Sequence, residues 1–281
     1  MNQIYIEFIL STIKIQDIYI YPVKSLGGIR LEQAVLEERG LQHDRRWMLV
    51  DENNRFLSQR EMSQLTLFTL SQHNSGFKIQ ARFGNEEEFD LPFQIQQGEI
   101  IQVTVWDDVC PAIEYAEGSS WFTKQIKQNC KLVYMPDTSN RYVDKQYASK
   151  NEIVSFSDGY PLLLIGQESL DDLNKRLQHP IGMERFRPNL VASGGRAFEE
   201  DNWKQIRING IDIEIAKPCA RCVIPSINPA TAQIEKEPNA SLSKYRLRDN
   251  KIYFGQNLLP KSVGLISCND KIHEMELLKF N

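Results

Sequence analysis

The chain has 281 residues, 41% hydrophobic and 25% charged, proportions of a soluble globular protein and enough for one large domain or two modest ones. A net charge of −4 and a pI near 5.7 argue against a general nucleic-acid or acidic-membrane binder. No apolar run approaches membrane-span length, and five scattered cysteines (110, 130, 219, 222, 268) fit a reducing cytoplasm better than a disulfide framework.

In chain order, residues 1–11 are fairly apolar but carry Glu7, with no basic start and no small-residue cleavage site. They read as a first strand or a short extension, not a signal peptide. Residues 18–22 form a short strand that Pro22 stops. Residues 46–50 and 55–58 flank a polar turn at 51–54, a hairpin pattern. Residues 78–82 and 100–106 also read as strands. Ser120 is placed to cap a helix towards Asn129, with Phe122 and Ile126 on one face. From about 135 to 152 the composition turns polar, which marks a long loop or a boundary. A helix over 169–177 follows, with Leu170, Leu173 and Leu177 on one stripe and His179-Pro180 ending it. Residues 206–215 are a hairpin around Asn209-Gly210, because both residues tolerate positive φ. A loop-rich region follows Pro225, and 262–267 suggest a closing strand. These elements predict a β-rich α+β protein, barrel-like, with units over 12–135 and 136–281.

The hairpin delivers Lys217-Pro218-Cys219-Ala220-Arg221-Cys222 to the rim of a sheet. Zinc usually takes four ligands, and no second Cys-x-x-Cys or histidine pair accompanies this one. A redox dithiol opens a helix, and Pro225 discourages one. Two small core residues are the bland alternative. Arg221 weighs against it, since a guanidinium beside a cysteine favours the thiolate, the nucleophile and metal ligand.

Basic residues recur at predicted strand ends beside Gly, Pro or aromatic punctuators: Lys24-Ser25 before Gly27-Gly28, Arg45-Arg46 after His43, Gln59-Arg60, and Arg185 with Arg187. Singly, each reads as a solvated surface group. Together they offer forks, charge and backbone donors for a phosphorylated ligand. No P-loop and no dinucleotide fingerprint is present. Asp158, between Ser157 and Gly159, reads as a turn aspartate or as a carboxylate able to relay a proton. Glu200-Asp201 reads as structural.

In order, Tyr21-Pro22-Val23-Lys24-Ser25, Gly40-Leu41, Asp44-Arg45-Arg46-Trp47-Met48, Ser58-Gln59-Arg60-Glu61, Ser157-Asp158, Arg187-Pro188-Asn189, Glu200-Asp201 with Trp203, and Cys219 with Arg221-Cys222 resemble the MOSC superfamily. The likeness is to its two-part, amidoxime-reducing branch, and it spans nearly the whole chain. It implies a MOSC-type β-barrel after an N-terminal β-barrel-like domain, and a molybdenum cofactor (molybdopterin). By the same likeness Cys222 ligates the metal and Arg221 lies near the cofactor. Lys24, Ser25, Arg45, Arg187 and Asn189 hold its phosphate and pterin, Asp158 assists proton delivery as a catalytic group with Cys222, and Cys219 supports. A pyridoxal phosphate association also travels with the family name, with no residue here assigned to it. The mitochondrial members carry a targeting and membrane segment that this chain lacks, so cytoplasm and no membrane are the expectations. A plant-type cluster needs four cysteines, which the tail does not hold. The implied activity is therefore reduction of small N-hydroxylated substrates with electrons from an external donor protein. A persulfide carrier or cofactor-binding module without turnover, and a β-barrel interaction protein with buried cysteines, are the alternatives.

Overall fold

The computed structural model describes residues 12–83, 87–148 and 150–277; the segment 1–11, read above as a strand or extension, lies outside them. The fold is β-rich α+β. Its largest sheet has nine strands: β1 (Lys14–Ile20), β2 (Ile29–Leu31), β3 (Leu162–Gly166), β4 (Leu190–Ser193), β5 (Trp203–Ile208), β6 (Ile211–Ala220), β7 (Leu247–Arg248), β8 (Lys251–Pro260) and β9 (Ile272–Leu277). Their spatial order is β2-β1-β4-β3-β8-β6-β5-β9, with β7 on β8. Hence β1 pairs antiparallel with β4, Lys14 opposite Ser193, across 179 positions of chain. Apolar side chains of β1 (Ile15, Ile18, Ile20) are buried, and a bulge between Ile15 and Asp17 resets their alternation. The β3 and β4 strands are parallel, which requires a crossover; helix α2 (Gln167–Asn174) supplies it.

The remaining strands of the first half stack around a shared core. Strands Trp47–Val50, Lys131–Tyr134, Asp108–Glu114 and Ile100–Val105 form one sheet in that order. Strands Phe68–His73, Gly76–Ala81 and Glu88–Pro92 form an antiparallel meander. Gln33–Glu37 pairs with Gly264–Ser267, the closing strand expected over 262–267. Helix α1 (Ala116–Ile126) buries Phe122 and Ile126 against the core cluster that also holds Leu132.

Three expectations are corrected. Ser120 does not cap α1: the helix begins at Ala116, and the Ser120 hydroxyl donates to the Ala116 carbonyl 3.0 Å away, inside the helix. The helix predicted over 169–177 runs Gln167–Asn174, and Ser169 sits within its first turn. Its first donors are met in trans by buried Glu200, which accepts from Gly166 N at 3.0 Å and Ser169 Oγ at 2.8 Å. Finally, 46–50 and 55–58 do turn back through Asp51, but only Val50 and Phe56 form a bridge; the strand Trp47–Val50 takes Lys131–Tyr134 as its ladder partner. The Asn209-Gly210 hairpin forms as read, with φ of 47° and 80° and Ile208 opposite Ile211.

Candidate functional site

The sequence motif 217–222 is the end of β6 and the residues after it. Proline is awkward in a sheet interior because it lacks a donor. Here the register of β6 against β8 slips between Ile215 and Lys217 and again between Pro218 and Ala220. These bulges accommodate Pro218 and leave Cys219 out of the ladder, re-aiming its side chain. Arg221 N still donates to Ile252 O at 2.7 Å, so the chain is held up to Cys222. Ile224–Ser226 then makes one short 3-10 turn and no longer helix, as Pro225 led one to expect.

A cavity of ≈ 190 Å³ opens here. Its lining includes all eight residues singled out from sequence: Lys24, Ser25, Arg45, Asp158, Arg187, Asn189, Arg221 and Cys222, together with Cys219. Lys24, Ser25 and Arg45 come from the first half, Asp158 from the loop before β3, Arg187 and Asn189 from the loop before β4, and the cysteines and Arg221 from the end of β6 and the residues after it. The lining carries five cations (Lys24, Arg45, Arg60, Arg187, Arg221) and one carboxylate, Asp158, although the chain as a whole is acidic.

The backbone is strained where these groups are presented. Ser25 (φ 71°), Arg45 (φ 48°) and Arg187 (φ 57°) all lie in the left-handed region, which side chains rarely adopt and which costs of order 1 kcal/mol or more each. Packing holds two of them in place. The Arg45 and Arg187 guanidinia both lie on the Tyr21 ring, each 4.2 Å from its centroid. Arg45 also donates to Asp44 at 2.6 Å and Asn189 Oδ1 at 3.1 Å, and Arg187 to Leu26 O at 2.6 Å. Burial pushes Arg187 down to about 10.

Two assignments change character. Asn189 is buried, and its amide also donates to Tyr19 O (3.1 Å) and accepts from Leu163 N (3.2 Å); its oxygen thereby positions Arg45. The Gly27-Gly28 pair is not a flexible donor cradle. Gly27 N donates to Phe68 O at 2.9 Å, and a Cβ on Gly28 would stand 2.5 Å from the Tyr21 ring. These glycines let Tyr21 and its two arginines close up.

Asp158 is the hub. Its Oδ1 accepts from Lys24 Nζ at 2.6 Å and Trp106 Nε1 at 3.3 Å, and its Oδ2 from Arg60 Nη2 at 2.7 Å. Burial would raise its pKa, but the charges and bonds of Lys24 and Arg60 overcome this and hold it well below the usual carboxylate range. Burial, partly offset by Asp158, brings Lys24 down to about 8. The pair is thus held as a carboxylate on Asp158 beside the amine of Lys24.

The sequence placed Arg221 beside Cys222, but space places it elsewhere. Arg221 Nη1 donates to Cys219 Sγ at 3.1 Å and Nη2 to Phe186 O at 2.8 Å. Cys222 Sγ instead receives Arg60 Nη2 and Ile224 N, each at 3.5 Å. Arg60 was one of several basic residues in the sequence with nothing to single it out; its place after a strand that stops at Ser58 was the available signal. Arg141 was missed outright. Buried, it donates to the carbonyls of Ser155 (3.0 Å) and Asp158 (2.8 Å) and to Asp108 (2.7 Å), pinning the loop that presents Asp158. Its guanidinium fork is suited to such multiple carbonyl bonds.

Residues 151–273 match the MOSC domain, and residues 12–129 the MOSC N-terminal beta barrel domain. The chain is 30% identical to mitochondrial amidoxime reducing component 2 of Rattus norvegicus, over 93% of this chain and 83% of that protein. It is 27% identical to mitochondrial amidoxime-reducing component 1 of Mus musculus, over 92% and 81%. It is 31% identical to molybdenum cofactor sulfurase of Oryza sativa subsp. japonica, over 88% of this chain but 32% of that longer protein. Among the described residues, no helix is long and apolar enough to cross a membrane.

Proposed function

The chain belongs to the MOSC family, a MOSC domain preceded by the MOSC N-terminal beta barrel domain, and from that premise we propose a cytoplasmic molybdenum-cofactor-dependent oxidoreductase that reduces N-hydroxylated compounds with electrons from a separate partner protein. The observation that carries this reading is a soft sulfur, Cys222, set in a cavity lined by five cations and one carboxylate. The similarity to amidoxime reducing components supplies the substrate class.

The residues fit such a group. One buried donor of a lining residue, Arg221 Nε, has no acceptor among the described residues; an anionic oxygen of a bound cofactor would meet it. Among the described residues, no group of three or more His, Cys, Asp or Glu could hold a metal ion. A metal on Cys222 would need further ligands from a bound molecule, which a molybdenum cofactor would provide. Cys222 would hold the metal, and Lys24, Ser25, Arg45, Arg187 and Arg221 the anionic and pterin parts, with Asn189 fixing Arg45. The bound cofactor supplies two-electron chemistry able to take oxygen from an N–O bond. Asp158 would orient Arg60 and Lys24, and with Lys24 Nζ hydrogen-bonded to it would serve proton delivery at the site. That amine, the one lysine in the lining, donates to Phe156 O and Asp158.

Metal analysis of the purified protein tests the reading. Molybdenum bound to wild type and lost in Cys222→Ala, with an N-hydroxy compound reduced in the presence of an artificial reductant, is the expected result. Unchanged metal content in Cys222→Ala sinks it. One extra sulfur atom on Cys222 by mass spectrometry, without molybdenum, turns the assignment to a persulfide carrier.

A further inference from the structure

Trp106 sits where a tryptophan is out of place. The strand expected to run through it stops at Val105, and Val105 pairs with Asp108, so Trp106-Asp107 is a two-residue hairpin turn. Its φ is 58°, at the first central position, which glycine usually fills in such turns. A bulky residue kept in the left-handed region is an outlier that points to function when its surroundings over-determine it.

They do here. Indole Nε1 donates to Asp158 Oδ1 at 3.3 Å, the Arg60 guanidinium lies 4.8 Å from the ring centroid, and Phe56 packs at 5.1 Å and 56°. Both polar partners line the cavity, and Arg60 is the one that touches Cys222. Yet 43% of Trp106 stays exposed. A side chain wanted only to cover the Asp158–Arg60 pair would be buried by doing so. Instead a rigid flat apolar surface stands beside two charged residues of the cavity lining, Asp158 and Arg60, pinned in one orientation by its edge hydrogen bond.

We propose that Trp106 is the specificity wall of this site, which receives the planar aromatic part of the substrate and so favours aryl amidoximes over small hydroxylamines. This rests on the reductase reading. Aromatic contact adds to area burial and has a preferred geometry, so truncation should cost roughly 5- to 10-fold in discrimination.

The test uses the cofactor-loaded full chain, with molybdenum content checked in each variant. In Trp106→Ala the ratio of kcat/KM for benzamidoxime over hydroxylamine is expected to fall about 5- to 10-fold, through the KM of the aryl substrate, and Trp106→Phe is expected to keep most of it. An unchanged ratio, or an equal loss on both substrates, overturns the wall. Calorimetric binding of benzamidine, the inert product form, separates the two ideas. If wild type reduces no N-hydroxy compound but binds benzamidine, and Trp106→Ala binds it several-fold more weakly, the reductase reading falls and the wall stands. If turnover is intact and benzamidine binds both proteins alike, the wall falls alone.

Discussion

Arg60 lies 3.5 Å from the sulfur of Cys222, whereas Arg221, next to Cys222 in the chain, lies 3.1 Å from Cys219. The two cysteines thus have different guanidinium partners, and each pairing has its own consequence. Donors to a ligating atom set its orientation, and their loss typically costs about 10- to 100-fold in metal affinity. Arg60→Ala is expected to lower retained molybdenum about 10-fold on this scale, with Arg60→Lys in between. Elemental analysis after gel filtration reads the order.

Asp158 is held well below the ordinary carboxylate value of 3.8 by Lys24 and Arg60, against the effect of burial. Such a group adds stability that is fully present above the unfolded pKa and is lost as pH falls through the folded one. Asp158→Asn is expected to flatten the acid side of the Tm profile below about pH 4. At neutral pH it leaves two mostly buried cations unpaired and should cost about 1–3 kcal/mol, less than a fully buried pair because half of the Asp158 side chain is exposed.

Lys24 behaves in the opposite direction. Burial sets its pKa at about 8 against an ordinary 10.5. Between those values the unfolded chain binds a proton that the folded chain has released, so stability contributed at this site rises with pH, by at most about 1.4 kcal/mol per pH unit. The difference in denaturant midpoint between wild type and Lys24→Met, followed from pH 8 to 10.5, should grow in favour of wild type. A constant difference counts against the assignment.

Glu200 substitutes for a local cap at the start of α2. Glu200→Ala strands the Gly166 N–H and the Ser169 hydroxyl, both buried, and is expected to cost about 2–4 kcal/mol. Glu200→Gln keeps an acceptor and should cost less. Burial raises the Glu200 pKa above its ordinary 4.5, so its carboxylate opposes folding as pH rises through that range. The glutamine variant should lose that slope in urea melts.

Gly28→Ala places a Cβ 2.5 Å from the Tyr21 ring. Because Arg45 and Arg187 both rest on that ring, the expected result is about 1–3 kcal/mol of destabilisation together with weaker pyrophosphate binding by calorimetry. Lost stability with unaltered anion binding would mean the arginines do not depend on Tyr21.

The sequence named most of the cavity but not its wiring. Lys24, Arg45, Arg187 and Cys222 were legible because each sits in an ordered motif beside a strand end. Which cation meets which cysteine was not, because extended backbone and the Cys219 bulge put Arg221 alongside the residue two before it. Arg141 gave no signal: its role is to bind carbonyls, and a carbonyl has no sequence signature. Trp106 was read as the last residue of a strand because aromatic side chains favour strands; the pairing of Val105 with Asp108 and the φ of 58° show the turn. The boundaries of α1 and α2 were missed because neither helix starts on its own cap; Tyr115 and Gly166 make no capping bond.

The pairing of β6 with β8 dates the site in the life of the molecule. Cys219 and Cys222 are held at the end of β6 by a strand that runs to Pro260, and β1 waits for β4 to be made before it has a partner on that side. During synthesis Lys24, Ser25 and Arg45 leave the ribosome long before the residues that face them across the cavity. Contacts this distant in sequence form late. The receptor for an anionic ligand therefore exists only once both halves of the chain have been made and joined, so this cavity is a product of the whole fold and of no single segment.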